Sequence, residues 1–301
     1  MSKINKKRLL VVLSVIVFAF VLTGCTVPMD ENGNVLLIHL TDTFKSFTSS
    51  GKEDIFGVII TYPLAQAINW LAQYMNIGLA ITVVTLVLNA IIVAATFKSN
   101  VAMQRMQELQ PELTRLQQKY EGRNDTASQQ RMSMEMQNLY KKYDVNPLGT
   151  LLVTFIQFPI LIGMYNAVRR SAAVYNGTFF GVQLIQLPRA AFQSLFGVEA
   201  FEGNPVVGIV IYVLMILLQF LSIKVPSLLA ERRAKKEAEK RHKPYVKPQQ
   251  QNILMTYGML IFIAIIMLNW PLALSLYYCI YSLVNIVKAF AIDHLTHKNE
   301  A

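Results

Sequence analysis

The chain has 301 residues, of which 53% are hydrophobic and only 15% are charged. Because soluble domains of this size carry about a quarter charged residues, this composition excludes an ordinary soluble protein. The formal net charge is +10, and the basic residues lie between long apolar runs, which favours a membrane protein over a nucleic-acid-binding protein.

The N-terminus has the pattern of a secretory signal over residues 1–24. Basic residues between positions 3 and 8 precede an apolar run, Leu9–Leu22, that is short for a membrane span. The sequence Leu22-Thr23-Gly24-Cys25 resembles the lipobox of bacterial lipoproteins, which are cleaved before the cysteine and acylated on it. We therefore expect a lipid-anchored N-terminus at Cys25; the alternative is an ordinary cysteine at the end of an uncleaved anchor helix.

Two segments precede the first long apolar run. Residues 25–61 are mostly polar and predict a tether on the outer surface. Residues 62–76 repeat apolar side chains at helical spacing, with Trp70 and Tyr74 among them. This pattern predicts an amphipathic helix lying in the membrane interface, the alternative being a short soluble helix.

Five apolar runs follow, each close to the ~20 residues that cross a bilayer core. We predict an all-α membrane protein with five transmembrane helices, an interfacial amphipathic helix and a cytoplasmic helical hairpin. The predicted spans are 77–97, 148–168, 205–223, 253–270 and 272–292.

The loop charges predict the orientation of these spans. Residues 98–147 and 224–252 are rich in Lys and Arg and should be cytoplasmic, whereas residues 169–204 are poorer in basic residues and should lie outside. The N-terminus then lies outside, in agreement with lipidation of Cys25, and the tail 293–301 lies in the cytoplasm of a cell-membrane protein.

The segment 98–147 predicts two antiparallel helices in a coiled-coil hairpin. An apolar stripe begins at Met103, and a second helix should begin near Asp125 or Thr126, both suitable N-caps. Its methionines either fill the seam between the helices or form a surface that binds partners of many different sequences. Met134 lies off the stripe and is the better candidate for a cytoplasmic contact residue.

Polar side chains inside the spans are the candidate functional residues. Polar groups in hydrocarbon usually face a protein interior or a hydrated cavity, so they indicate a shared groove; the alternative is ordinary hydrogen bonding between helices. The candidate groove residues are Thr85, Asn89, Gln157, Gln219, Ser275, Tyr277, Tyr278 and Asn285.

Several stretches resemble YidC/Oxa-type membrane protein insertases, in the form with a lipoprotein signal and no large periplasmic domain. The resemblance covers essentially the whole mature chain, although the family commonly has Tyr-Trp where this chain has Tyr277-Tyr278. The matching stretches are MQELQPEL at 106–113, NPLG at 146–149, IQFPIL at 156–161, MYNAVRRS at 164–171 and PLALSLYY at 271–278.

The resemblance implies an insertase and chaperone for nascent membrane proteins. It implies a hydrophilic groove open to the cytoplasm and to lipid, used alone or with the Sec translocon, and a functional monomer in contact with membrane lipids. No catalytic residues, metal or cofactor are implied, apart from the lipid on Cys25. A small-solute transporter or channel is the alternative, and a lipoprotein scaffold is another.

One position departs from the family pattern. Relatives carry an arginine in the first span where this chain has Asn89, and a proline where it has Ala94. Asn offers neutral hydrogen bonds only, so acidic substrate segments should be favoured less. The basic loop 224–252 has three open interpretations: a topology determinant, a ribosome contact or a surface for anionic lipid.

Overall fold

The computed structural model describes residues 27–49, 56–123, 125–145, 147–240, 242, 245 and 250–297. Most of these residues are helical, as the all-α prediction requires, and one short antiparallel β-hairpin was not predicted. The elements are α1 (Phe44–Ser49), a π-helix (Gly57–Thr61), α2 (Tyr62–Leu71), α3 (Ile77–Glu108), α4 (Gln110–Tyr120), α5 (Thr126–Lys142), α6 (Pro147–Arg170), α7 (Ala172–Asn176), β1 (Thr178–Phe179), β2 (Val182–Gln183), α8 (Pro188–Ser194), α9 (Pro205–Lys240), α10 (Gln250–Met267) and α11 (Leu272–His297).

Three helices are long and apolar enough to cross a membrane among the residues described: Ile77–Glu108, Pro205–Lys240 and Leu272–Thr296. They contain the first, third and fifth predicted spans. Helices α6 and α10 overlap the second and fourth predicted spans. Some side chains of each helix are not among those that the structure describes. The protein is a multi-pass helical membrane protein, and the count of five spans stays a prediction.

Helix α3 runs well beyond the predicted end of the first span. It continues through residue 97 to Glu108 because no Gly or Pro interrupts this stretch. It ends where Pro111 follows, since proline lacks an N–H and its ring clashes with the carbonyl four residues earlier. Pro111 is then the second residue of α4, a position where its missing N–H costs nothing.

The chain divides into two compact units. The first comprises Met1–Leu88, Thr154–Met215 and Ile266–Ile280; the second comprises Asn89–Val153, Ile216–Ile265 and Tyr281–Ala301. In the first unit a cluster of Ile38, Ala65 and Ala167 is buried, and in the second a cluster of Leu109, Leu113 and Val145.

In the first unit, part of the predicted tether is packed against the protein. The N–H of Ile38 donates to the carbonyl of Arg170 at 2.6 Å, and the Ile38 carbonyl accepts from the N–H of Ala172 at 3.1 Å. The buried amide of Asn69 donates to the same carbonyl at 2.7 Å. Residues 25–61 were predicted to be a tether, because a single strand-like bridge to a distant residue leaves no pattern in the sequence.

Helix α2 is shorter than the predicted interfacial helix and directly continues the π-helix. Ala65 and Ile68 of its apolar stripe are buried in protein, while Trp70 and Tyr74 stay exposed. The two exposed rings meet edge to face, with centroids 5.3 Å apart. Part of the stripe therefore packs into the unit, and the aromatic pair faces outward.

In the second unit, α4 and α5 pack side by side, with Met136, Leu139, Tyr140 and Tyr143 against the Leu109 cluster. The Asp125 carboxylate caps α5 by accepting from the N–H of Ser128 at 2.8 Å, at the position proposed from the sequence.

Polar contacts connect the two helices as well. Lys119 bonds to Glu135 at 2.7 Å, and the Tyr120 hydroxyl donates to the same carboxylate at 2.9 Å. The hydrogen bond from Lys119, followed by that from Tyr120, holds the pKa of Glu135 below its usual range. A cytoplasmic coiled-coil hairpin stays a prediction.

Candidate functional site

The first unit contains five of the predicted groove residues, and most are deeply buried. Ser275 and Tyr277 are fully buried, and the rings of Tyr277 and Tyr278 meet edge to face at 5.4 Å. The Thr85 hydroxyl donates to the carbonyl of Ile81, one turn back in its own helix, at 2.7 Å. This bond to the preceding turn is a usual way in which the hydroxyl of a helical threonine is satisfied.

Gln157 and Ser275, two predicted groove residues of the first unit, each have a buried polar side-chain atom. Nε2 of Gln157 and Oγ of Ser275 are buried and have no hydrogen-bond partner among the described residues. An unpartnered buried polar atom costs free energy, so each such atom in a native structure calls for a water molecule or a ligand group. These two side chains are the first unit's strongest candidates for contact with a polar substrate segment.

The second unit contains the other three predicted groove residues. Asn89 and Gln219 are buried, and Asn285 is half-buried. Oε1 of Gln219 accepts a hydrogen bond from the Ser282 hydroxyl at 2.7 Å, which joins α9 to α11. For Gln219, the alternative interpretation, a hydrogen bond between helices, describes the observed contact.

In the second unit, a polar stripe on α3 includes residues that were not found from the sequence. Asn89, Thr96, Asn100 and Gln104 are seven, four and four residues apart, which puts them on one helix face. The Asn100 amide donates to the Thr96 hydroxyl at 2.9 Å, while its Oδ1 is buried and has no partner in the described part of the chain. The first span was predicted to end at 97, which separated Asn100 and Gln104 from Asn89; the spacing of the four residues could have revealed the stripe.

The stripe ends at an ion pair. Arg233 of α9 donates from Nε and Nη2 to the two carboxylate oxygens of Asp293 in α11, at 2.9 and 2.8 Å. Gln104 adds a longer contact of 3.4 Å to Oδ1 of Asp293. Three helices of the second unit therefore meet at one carboxylate. Arg233 was predicted to lie in a basic loop and Asp293 in the tail, because both helices extend beyond their apolar runs.

One charged residue inside the fifth predicted span was also missed. Lys288 is half-buried and makes no ion pair or hydrogen bond with any described residue. Outside the spans, Met134 is 56% exposed, as its position off the hairpin stripe predicted. Cys25 lies outside the described residues.

Comparison with known proteins identifies the family. The family model described as "60Kd inner membrane protein" matches residues 69–300. The membrane protein insertase YidC 1 of Streptococcus pyogenes serotype M3 is 34% identical over 180 residues, which cover 56% of this chain and 65% of the relative. The membrane protein insertase YidC 2 of Bacillus anthracis is 33% identical over 190 residues, covering 58% and 74%.

A third relative matches a longer stretch: the membrane protein insertase MisCA of Bacillus subtilis is 26% identical over 239 residues, covering 75% of this chain and 85% of the relative. The match with the Streptococcus protein spans slightly less than two thirds of that protein's length. The family model, by contrast, matches most of this chain. The chain therefore belongs to the 60Kd inner membrane protein family, the YidC/Oxa family that its motifs resemble.

Proposed function

We propose that the protein is a membrane protein insertase and chaperone for nascent membrane proteins, acting without covalent chemistry. The observation that carries the proposal, beyond family membership, concerns three buried polar atoms of membrane-associated helices that have no hydrogen-bond partner among the described residues: Nε2 of Gln157, Oγ of Ser275 and Oδ1 of Asn100. Such atoms destabilise a helix bundle unless they bind water or a polar guest.

The chemistry of insertion explains why such atoms would be retained. Each unsatisfied backbone group that crosses hydrocarbon costs several kcal/mol. Donors and acceptors inside the helix bundle replace part of the lost hydration, so that a hydrophilic substrate tail meets a lower barrier. Burial of the substrate's apolar segment in lipid then drives the transfer.

We propose the predicted topology with this function. Five spans start from an outer N-terminus, the α4–α5 hairpin and the basic loop lie in the cytoplasm, and the groove opens to the cytoplasm and to lipid. Nascent chains are the substrates and the Sec translocon a partner, as the family resemblance implies. Met134 is the proposed contact residue of the hairpin.

Photocrosslinking to stalled nascent membrane proteins tests the function. A photoreactive residue is placed at Asn89, Gln157 or Tyr278, with exposed Val287 of α11 as the lipid-facing control. We expect crosslinks from these three groove positions that disappear when the nascent segment is too short to reach the membrane. Crosslinks only to neighbouring helices of the same chain would contradict a substrate groove.

We further propose that Cys25 carries the N-terminal lipid. The support is the lipobox pattern at residues 22–25 and its agreement with an outer N-terminus. Labelling with a clickable fatty acid tests it: Cys25→Ser should abolish the label, whereas Cys279→Ser, which changes a buried cysteine, should retain it. Equal labelling of both variants would contradict lipidation at Cys25.

A further inference from the structure

The segment between α6 and α9 carries four large apolar side chains on its surface. Phe196 is 83% exposed, Phe180 76%, Val198 70% and Leu195 54%. We call these four residues the loop patch. Leu195, Phe196 and Val198 lie within four consecutive residues, and contiguous exposed apolar surface marks protein or membrane contact sites.

The exposure of the loop patch does not result from poor packing of the segment. The same segment has a core of its own, in which Val174, Val182, Leu184 and Ala191 are fully buried. Outward and inward positions are therefore distinguished by the fold. The patch residues point outward in a segment that is able to bury its other apolar side chains.

The backbone beneath the patch is fixed by hydrogen bonds. The amides of Phe196 and Val198 both donate to the carbonyl of Gln193 at 3.1 Å, around Gly197 at φ +69°. A side chain at Gly197 would be strained in this left-handed conformation, so glycine suits the turn. Gln186 holds the far side of the loop through two bonds with the backbone of Glu202, at 2.9 and 2.8 Å.

Backbone contacts place this segment at the ends of membrane helices. Leu272 and Ala273, at the start of α11, donate to the carbonyls of Gln186 and Leu184, both at 2.8 Å. The turn between α10 and α11 also carries Trp270, whose ring lies 4.8 Å from that of Tyr165 near the end of α6. Trp and Tyr are enriched where spans leave the hydrocarbon, so the segment lies at the level of the membrane interface.

We propose that the loop patch inserts into the membrane interface and anchors this end of the protein in lipid. The partner is a bilayer surface recognised through apolar burial and not through charge. Residues 171–204 contain only Arg189, Glu199 and Glu202 as charged residues, so electrostatic attraction to anionic lipid is weak. Exposed Trp70 and Tyr74, in the same unit, provide a second aromatic contact of the same kind. The inference is independent of the insertase function.

Tryptophan fluorescence in proteoliposomes tests the proposal. Phe196→Trp and, separately, Val198→Trp are introduced into full-length protein in which Trp70 and Trp270 are replaced by Phe. Leu217→Trp, on the exposed face of α9, is the lipid-embedded control, and Gln130→Trp, on exposed α5, is the aqueous control. The vesicles contain phosphatidylcholine brominated either near the glycerol backbone or near the chain end.

We expect blue-shifted emission from both patch probes and at least twofold stronger quenching by the shallow bromines than by the deep ones. Adding phosphatidylglycerol or salt should leave the quenching unchanged. Quenching by aqueous acrylamide equal to that of Gln130→Trp would overturn the proposal. Shielding from both lipid bromines and acrylamide would overturn it too, since a second copy of the chain would then cover the patch.

Discussion

Arg233 and Asp293 form a bidentate ion pair between α9 and α11, with nitrogen–oxygen distances of 2.9 and 2.8 Å. The Asp293 side chain is only 14% exposed and that of Arg233 30%. Planar guanidinium and carboxylate groups match in this geometry, and partial burial protects the pair from solvent screening. The pair therefore fixes the ends of two long helices within the second unit.

Replacing Asp293 by Asn should destabilise the protein. One guanidinium contact is weakened, and the arginine keeps its charge in a partly buried place. We therefore expect the free energy of unfolding to fall by about 1–3 kcal/mol. The measurement is the thermal unfolding midpoint in detergent.

The exposed pair Lys235–Glu231 provides the matched control for this change. Its side chains are 49% and 35% exposed, so Glu231→Gln should lower the midpoint much less. If both variants unfold at the same temperature, the Arg233–Asp293 pair has no special role.

Asn69 should be needed to hold the N-terminal segment on the first unit. Its amide donates to the Ile38 carbonyl, and its Oδ1 accepts from the Ser171 hydroxyl at 2.7 Å and the Ala173 N–H at 3.1 Å. Asn69→Leu removes the acceptor of the Ser171 hydroxyl and the Ala173 N–H and one of two hydrogen bonds to the Ile38 carbonyl, at a cost of about 1–3 kcal/mol. Hydrogen exchange should accelerate around Ile38, whereas Gln73→Leu, at an exposed position, should leave it unchanged.

The contact between α4 and α5 should weaken in acid. Because the folded-state pKa of Glu135 is lowered, its carboxylate stabilises the folded form at neutral pH, and this stabilisation is lost as pH falls through that folded pKa. We expect hydrogen exchange around Lys119 and Tyr120 to speed up only when the pH falls below the ordinary glutamate pKa of about 4.3. In the Glu135→Gln variant, these amides should exchange faster at neutral pH, and their exchange should show no further increase of this kind in acid.

Local chemistry determined which features could be predicted from the sequence. The Asp125 cap and the apolar runs depend on neighbouring residues, so pattern and propensity indicated them. The bridge between Ile38 and Ser171 joins residues far apart in the chain, and nothing in a single sequence encodes that pairing. The turn at Phe180 and Gly181, both at positive φ, has Gly181 as its only sequence signal.

The candidate site was predicted in part for the same reason. Residue type alone identified Asn89 and Gln219, because amides in apolar runs are conspicuous. Which amides are satisfied depends on neighbouring helices: Gln219 bonds to Ser282, whereas Nε2 of Gln157 has no partner in the described chain. Sequence patterns give the position of a polar group but not its partner.

Lys288 should be destabilising in its present position. A half-buried cation without an ion pair among the described residues is costly inside a membrane helix. Lys288→Met should raise stability by about 1–3 kcal/mol, measured as the thermal midpoint. Lys236→Met, in the solvent-exposed end of α9, should change it little; a lower midpoint for Lys288→Met would mean that an anion stabilises the lysine.

Asn89→Arg should improve the insertion of substrates with acidic tails. A guanidinium adds a charge-assisted hydrogen bond of about 1.5–3 kcal/mol to a carboxylate, and part of this is offset by the cost of burying the new charge at a buried position. We expect an increase of about tenfold or less, measured by protease protection of a reporter with an acidic tail. Asn89→Gln, which keeps a neutral amide, and a reporter with a neutral tail should show no increase. Equal insertion of the acidic reporter by wild type and Asn89→Arg would mean that the charge at this position does not select substrates.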